Sequence, residues 1–238
     1  MRNRYRIAGL TVDLDIRFPK GRLARQAFPY RYDTQDSADF QVQVSDKLME
    51  EEQLKNPHLS PESLEYILTG IEFFFQILRY DGIGVHASAV VLDGASYLFS
   101  AASGTGKSTH TQLWCREFGP ERAFILNDDK PILRLIDQFW YACGTPWSGK
   151  TNLNIPKLVP IRGIAFLEQG TENRITRIRP EDAVYPFLEQ TILSYEKAVL
   201  EVILDRTLAF LTAIPAYRLQ CRPDPESVHT AYQMMKGA

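Results

Sequence analysis

The sequence predicts an α/β fold on a mixed sheet, with a small β-rich subregion at the amino end. Three observations lead to that expectation. Apolar runs of strand length alternate with segments of helical spacing through most of the 238 residues. A glycine-rich stretch at residues 101–108 stands between a predicted strand and a predicted helix. Asp93-Gly94 before it and Asp137 after it read as turns between adjoining strands, so the sheet is mixed rather than purely parallel.

In chain order, the residues up to about Asn56 read as strands and turns. Tyr5 to Phe18 alternates, with Leu10, Val12, Leu14 and Ile16 on one face, and Gln41 to Val44 alternates again. Phe28 to Asp39 is polar and reads as loop. Ser60-Pro61 opens a helix, because a serine hydroxyl can cap free amides and proline is tolerated at the first helical position. Leu64, Ile67, Leu68, Ile71, Phe74, Phe75 and Leu78 fall at helical spacing and make that helix core-facing, and Asp81-Gly82 ends it. Val85 to Leu92 and Tyr97 to Ser100 are strands joined at Asp93-Gly94. Thr109 to Phe118 is the helix after the glycine stretch, and Ala123 to Leu126 is a short strand running into Asn127-Asp128-Asp129. Further strands are predicted over Ile132 to Ile136, Phe139 to Ala142, Ile161 to Leu167, Arg174 to Ile178 and Tyr217 to Cys221. Helices are predicted over Pro180 to Leu193, Tyr195 to Ala213 and Pro225 to Met235.

Composition narrows the class. With 45% hydrophobic and 24% charged residues the chain has the material for a core and the surface of a water-soluble protein. A formal net charge of −2 gives no field that would gather nucleic acid or an anionic membrane. Arg2, Arg4 and Arg6 are followed at once by Asp13 and Asp15 with no uninterrupted apolar run between, which argues against a signal peptide. No run of 18 apolar residues suggests a membrane span. Cys115, Cys143 and Cys221 are too scattered for a disulfide framework or a zinc pattern, and a reducing cytoplasm is the expected location. The sequence is silent on oligomeric state.

The chemistry concentrates in Ala101-Ala102-Ser103-Gly104-Thr105-Gly106-Lys107-Ser108. This matches a phosphate loop except that alanine replaces the first glycine. Gly104 and Gly106 let the backbone curl so that its amides point inward at phosphates, with Ser103, Thr105 and the helix-opening Thr109 completing the cradle. The helix start adds its positive end. Lys107 supplies a charge to the terminal phosphates and Ser108 a hydroxyl to a magnesium ion. ATP and Mg2+ are therefore the expected ligands.

Asp128 and Asp129 follow a strand end, 21 and 22 residues after Lys107, where a fold of this kind puts side chains beside the loop. One carboxylate can hold the metal, directly or through water, and the other can take the proton of an attacking hydroxyl. Which does which stays open, with Asp129 assigned to the metal beside Ser108. Trp147-Ser148-Gly149-Lys150 could form a lip that brings Lys150 to the substrate or to the phosphates. Arg162 could stabilise charge on the transferred group, since a guanidinium suits phosphate oxygens. His110 and Thr111 read as packing or helix-surface residues.

Together these segments resemble the HPr kinase/phosphorylase family and, more distantly, the ATP-dependent phosphoenolpyruvate carboxykinases. The residues that carry the resemblance are His86-Ala87, Asp93-Gly94, Ser103 to Ser108, Asp128-Asp129 and Ile161-Arg162-Gly163-Ile164-Ala165, within residues 83–168. The resemblance implies a phosphate-loop core of that type, with Lys107 and Ser108 in the loop roles, a catalytic aspartate at Asp128 or Asp129, and His86 near the phosphates. It implies a division into residues 1–82, a strand-and-helix subregion, and residues 83–238, the nucleotide-binding domain. It also implies an ATP-dependent kinase whose acceptor is a hydroxyl, a serine of a peptide, a protein or a small molecule. Pro160 stands where the family has a metal-binding glutamate, and the Pro-Gly-Arg-Asn stretch linked to the reverse, phosphorylase reaction has no counterpart. HPr itself is therefore not the expected acceptor. A regulatory module that senses ATP without catalysis and a carboxykinase-like lyase are the alternatives.

Overall fold

The computed structural model describes residues 4–237, so Arg2 lies outside the described residues. The amino-terminal region begins with β1 (Arg4–Ile7) and β2 (Leu10–Leu14), then α1 (Arg22–Ala27), β3 (Phe40–Val42), α2 (Asp46–Lys55) and α3 (Pro61–Gln76). The three strands form their own small sheet in the order β1-β2-β3. The rest of the chain supplies β4 (Gly82–Gly84), β5 (Ala87–Leu92), β6 (Ala95–Ser100), α4 (Lys107–Phe118), β7 (Ala123–Asn127), β8 (Ile132–Ile136) and β9 (Phe139–Cys143). It continues with β10 (Leu158–Gln169), β11 (Arg174–Ile178), α5 (Pro180–Leu188), α6 (Lys197–Ala213), β12 (Ala216–Cys221) and α7 (Pro225–Met235).

These later strands make a nine-stranded mixed sheet whose main path is β4-β8-β9-β10-β6-β5-β7, with β12 beside β10 and β11 beside β12. β10 joins its two parts. Leu158 to Pro160 pair antiparallel with β9, while the following residues run parallel to β6 on one side and β12 on the other. β5 and β6 form the expected hairpin. Asp93 (φ 49°) and Gly94 (φ 79°) both adopt positive φ, the geometry that a two-residue turn needs to match strand twist.

Helices cover both faces of the sheet, which explains why β5 is buried along its whole length. Ala87, Ala89 and Val91 face a core shared with Phe187 of α5 and with Ile203 and Phe210 of α6. Val90 and Leu92 face a second core with Trp114 of α4 and with Val228, Ala231 and Met235 of α7. A third core joins the small sheet to α3 and to Ile132, Cys143 and Trp147 of the larger part. Among the described residues no helix is long and apolar enough to cross a membrane.

Several boundaries differ from the sequence reading. Residues up to Asn56 hold two helices as well as strands. α2 has no buried residue, so no apolar stripe betrays it; its helix-forming composition and Ser45, whose hydroxyl accepts from the Leu48 amide at 3.2 Å, define it instead. α1 is too short to show a period. The alternation from Tyr5 to Phe18 covers both strands of a hairpin, which turns at Ala8 and Gly9, where φ is 51° and 80°. β4 follows directly from the turn at Asp81, which is left-handed (φ 56°). α4 starts at Lys107 rather than Thr109, and α5 stops at Leu188 rather than Leu193.

Candidate functional site

The hairpin β5/β6 delivers the chain into residues 101–106, and α4 starts immediately after them. Gly104 and Gly106 take φ of 83° and 115°, conformations open to glycine at no steric cost, and a β-carbon on either would meet nothing within 4 Å. The glycine stretch thus leaves free space over its own backbone. Lys107 turns back into it. Its side chain is buried, and Nζ donates to the carbonyls of Ala101 at 2.7 Å and Ala102 at 3.2 Å. Burial pushes the Lys107 ammonium below its ordinary value, against the opposing pull of Asp129 and Asp128.

Asp128 and Asp129 emerge at the end of β7. Buried Asn127 shapes their turn: its Oδ1 accepts from the amides of Asp129 at 3.0 Å and Lys130 at 2.8 Å. Its Nδ2 donates to the Thr145 carbonyl at 3.0 Å. Asp128 is the deeper acid. Its Oδ1 accepts from Ser88 Oγ at 2.6 Å and its Oδ2 from Thr151 Oγ1 at 2.7 Å. Ser88 also meets Thr111 Oγ1 at 2.7 Å, and Thr111 donates back to the carbonyls of Lys107 and Ser108. A chain of hydroxyls therefore ties the acid to the first turn of α4. Thr111, expected to be a packing or helix-surface residue, is part of that chain.

Asp129 is held from the other side. Its Oδ1 lies 3.1 Å from Nε2 of His86, whose Nδ1 meets Gln190 Oε1 at 3.2 Å. Burial pushes the Asp129 carboxyl upward, but the His86 hydrogen bond and the charges of Lys130 and Lys107 outweigh it, and the carboxyl is held below its ordinary range.

These groups share one cleft of about 590 Å³. Ser103, Gly104, Gly106, Lys107, Ser108 and Thr109 form one side, His86, Asp128 and Asp129 the floor, and Gly149, Lys150 and Thr151 a lip. Trp147 anchors the lip by stacking on Phe73 of α3, with ring centres 4.8 Å apart. Arg22, Leu59, Ser63, Tyr66 and Ile67, all from the amino-terminal region, make the opposite wall. Thr105 lies just outside this lining; its hydroxyl donates to the Ala102 carbonyl at 2.9 Å and braces the stretch from behind.

Arg162 is not brought in. It is exposed at a bulge between Ile161, which pairs with Ser96, and Gly163, which pairs with Tyr97. That is the end of β6 away from Ser100 and the glycine stretch. Pro160 is exposed on β10 opposite Tyr141. Conversely, Ser88, Thr151 and Arg22 were missed. Nothing in their local sequence marks them, and only tertiary packing places them at the site. His110 is the packing residue expected: it is buried, and its Nε2 accepts from Trp114 Nε1 at 3.1 Å.

No protein-family model matches the chain, and no curated protein matches it. Among solved structures, the HPr(Ser) kinase/phosphatase from Coxiella burnetii aligns over 65% of this chain and 99% of that one, at 10% identity and a TM-score of 0.37.

Proposed function

We propose that this protein is a Mg-ATP-dependent kinase that transfers a phosphoryl group to a hydroxyl, seryl in kind. One observation carries the reading. Lys107, Ser108, His86, Asp128, Asp129 and Lys150, scattered through residues 86–150, line a single cleft. In this reading residues 83–238 form the nucleotide-binding domain, and residues 1–82 form the subregion that closes the cleft from the far side.

The residues present fit a nucleotide and its metal. The glycine stretch leaves open space over Gly104 and Gly106, and Lys107 already holds an ammonium among carbonyls at its edge. Ser108 presents a hydroxyl at the first turn of α4, facing the cleft that the two carboxylates floor. Among the described residues no group of three or more His, Cys, Asp or Glu side chains is arranged to hold a metal ion by itself. Ser108 and a carboxylate would therefore hold magnesium together with water and the nucleotide's own oxygens. When bound, the metal would draw charge from the transferring phosphoryl oxygens.

The remaining work belongs to this chain's own groups. Lys107 and the amides of residues 103–109 bind and orient the phosphates, which is most of what phosphoryl transfer asks of a protein. Asp128, rather than the Asp129 that the sequence assigns to the metal, has both oxygens engaged by hydroxyl donors, so it is fixed in place and suits the metal side. Asp129 has one oxygen on His86 and borders the cleft. It suits the base, taking the acceptor hydroxyl's proton while His86 holds the carboxylate in position. Lys150 on the lip can reach the phosphates or the acceptor.

The test is ADP release with labelled phosphate, measured on serine-bearing peptides and on free hydroxyl compounds. Label transferred to a hydroxyl establishes the reading. Nucleotide binding without turnover on any acceptor would instead make the protein an ATP-sensing module. Phosphoenolpyruvate formed from oxaloacetate would make it a lyase.

A further inference from the structure

The wall opposite the glycine stretch contains a cation with no anionic partner. Arg22 opens α1, and its guanidinium sits 4.2 Å from the centre of the Tyr66 ring. Its Nε lies 3.2 Å from the side-chain amide of Gln26, which is itself buried. Its Nη2 is buried and has no hydrogen-bond partner. Unlike Arg4 and Arg17 of the same subregion, Arg22 pairs with no carboxylate among the described residues.

The backbone amides of Gly149 and Ser148 lie close enough to the Tyr66 phenol to oppose the upward push of burial on its ionisation, so the ring under Arg22 borders the lip that carries Lys150. Holding a guanidinium partly out of water without a counter-charge is costly, and an anion arriving in the cleft would offset that cost. Its planar fork matches a carboxylate or a phosphate two bonds at a time. The two aspartates of the cleft have other partners, Asp128 in Ser88 and Thr151 and Asp129 in His86.

We infer that Arg22 is a specificity-determining residue that binds an anionic group, carboxylate or phosphate, carried by the acceptor close to its hydroxyl. This rests on the kinase reading above. The glycine stretch and Lys107 attend to the nucleotide on one side of the cleft. Arg22, with Lys150 beside it, holds the acceptor's charge on the other and turns its hydroxyl toward Asp129. The amino-terminal subregion then selects the acceptor.

Probes sharing one skeleton separate the cases. Glycerol, D-glycerate and glycerol 3-phosphate form one series, and L-serine with its neutral amide a second. Each is supplied with ATP and magnesium while ADP release is followed. D-glycerate or L-serine as the active probe assigns a carboxylate, and glycerol 3-phosphate a phosphate. The anionic probe should exceed its neutral counterpart by about tenfold or more in kcat/KM, the range for hydrogen bonds to a charged group. Arg22→Gln should erase that preference by raising the KM of the active probe, with the KM for ATP unmoved. Arg22→Lys, which keeps the charge and loses the fork, should recover part of it, and thermal melting shows that both variants are folded. Equal use of neutral probes, a rise in the nucleotide KM instead, or no response to any anionic probe would overturn the inference. Calorimetry with a non-hydrolysable ATP analogue separates the two readings. Absence of binding to the unaltered protein sinks the kinase reading itself, while binding without anion preference sinks only the role of Arg22.

Discussion

Gly149 is packed directly against Asp129. A β-carbon added to the glycine would meet the Asp129 β-carbon at 2.7 Å and its carboxyl carbon at 3.0 Å. Gly149 also holds φ at 66°, a conformation that side-chain-bearing residues adopt at a cost. The lip and the acid pair are therefore one mechanical unit, and the absence of a side chain at 149 sets the position of the carboxylate.

It follows that Gly149→Ala damages activity more than stability. The backbone strain and crowding should cost about 1–3 kcal/mol in a denaturant titration. Displacing Asp129 by part of an ångström should lower turnover by about a hundredfold. Gly94→Ala is the control. Gly94 also has positive φ, 79°, but nothing lies within 4 Å of the added carbon. It should lose comparable stability and keep its turnover. Equal turnover losses in the two variants would mean that the contact with Asp129 does not matter.

The two aspartates should separate under near-isosteric substitution. Asp129→Asn removes the group assigned as base, and turnover should fall by about 10² to 10⁴ with ATP binding retained. Asp128→Asn keeps an oxygen for one of the Ser88 and Thr151 hydroxyls and places an amide donor against the other, which must rotate to accept. That variant should lose about 1 kcal/mol of stability as well as its dependence on magnesium concentration. Full turnover in both variants, with an established acceptor, would remove the pair from catalysis.

Lys107→Met should abolish most nucleotide affinity without unfolding the protein. The ammonium is already partly desolvated, so removing its charge releases strain even as two loop carbonyls lose a donor. Losing a charged contact to phosphate should weaken ATP by about 10- to 100-fold in calorimetric titration. Chelating magnesium should weaken ATP binding to the unaltered protein as well. Unchanged affinity in the folded variant would leave the glycine stretch without a phosphate role.

How much of this was legible in the sequence depends on the range of each signal. The glycine stretch and the Asp128-Asp129 pair are local patterns, and the hairpin before and the strand end between them could be read from Asp93-Gly94 and the run from Ala123. Val85 to Leu92 reads as a strand because helices on both faces bury every residue of β5, leaving an unbroken apolar run. Gly149-Lys150 could be suspected as a lip, but its seat against Asp129 could not, since only packing of Trp147 on Phe73 fixes it there. Arg22 and Tyr66 lie far from the glycine stretch in sequence and were invisible for the same reason. α2 was missed because it buries no residue fully, and its half-buried face of Met49, Glu52 and Gln53 is too polar to show an apolar period. Arg162 misled in the other direction: its residue type suits phosphate, but the parallel pairing of β10 with β6 carries it to the wrong end of the strand.

The proposed kinase should run forward only. In the family that the glycine stretch resembles, the reverse reaction with inorganic phosphate is linked to a Pro-Gly-Arg-Asn stretch that this chain lacks, and a carboxylate near the metal is replaced here by Pro160. Pro160 is exposed on β10 and paired with Tyr141, and a proline side chain has no atom that can ligate a cation or position phosphate. The remaining groups, Ser108 and the two aspartates, fit the single task of passing a phosphoryl group to a hydroxyl whose proton Asp129 takes. Incubating the phosphorylated acceptor with inorganic phosphate and magnesium should therefore release no pyrophosphate. Pyrophosphate appearing at a rate near that of forward transfer would show that a phosphate-activating group exists elsewhere in the cleft, with Lys150 the first residue to examine.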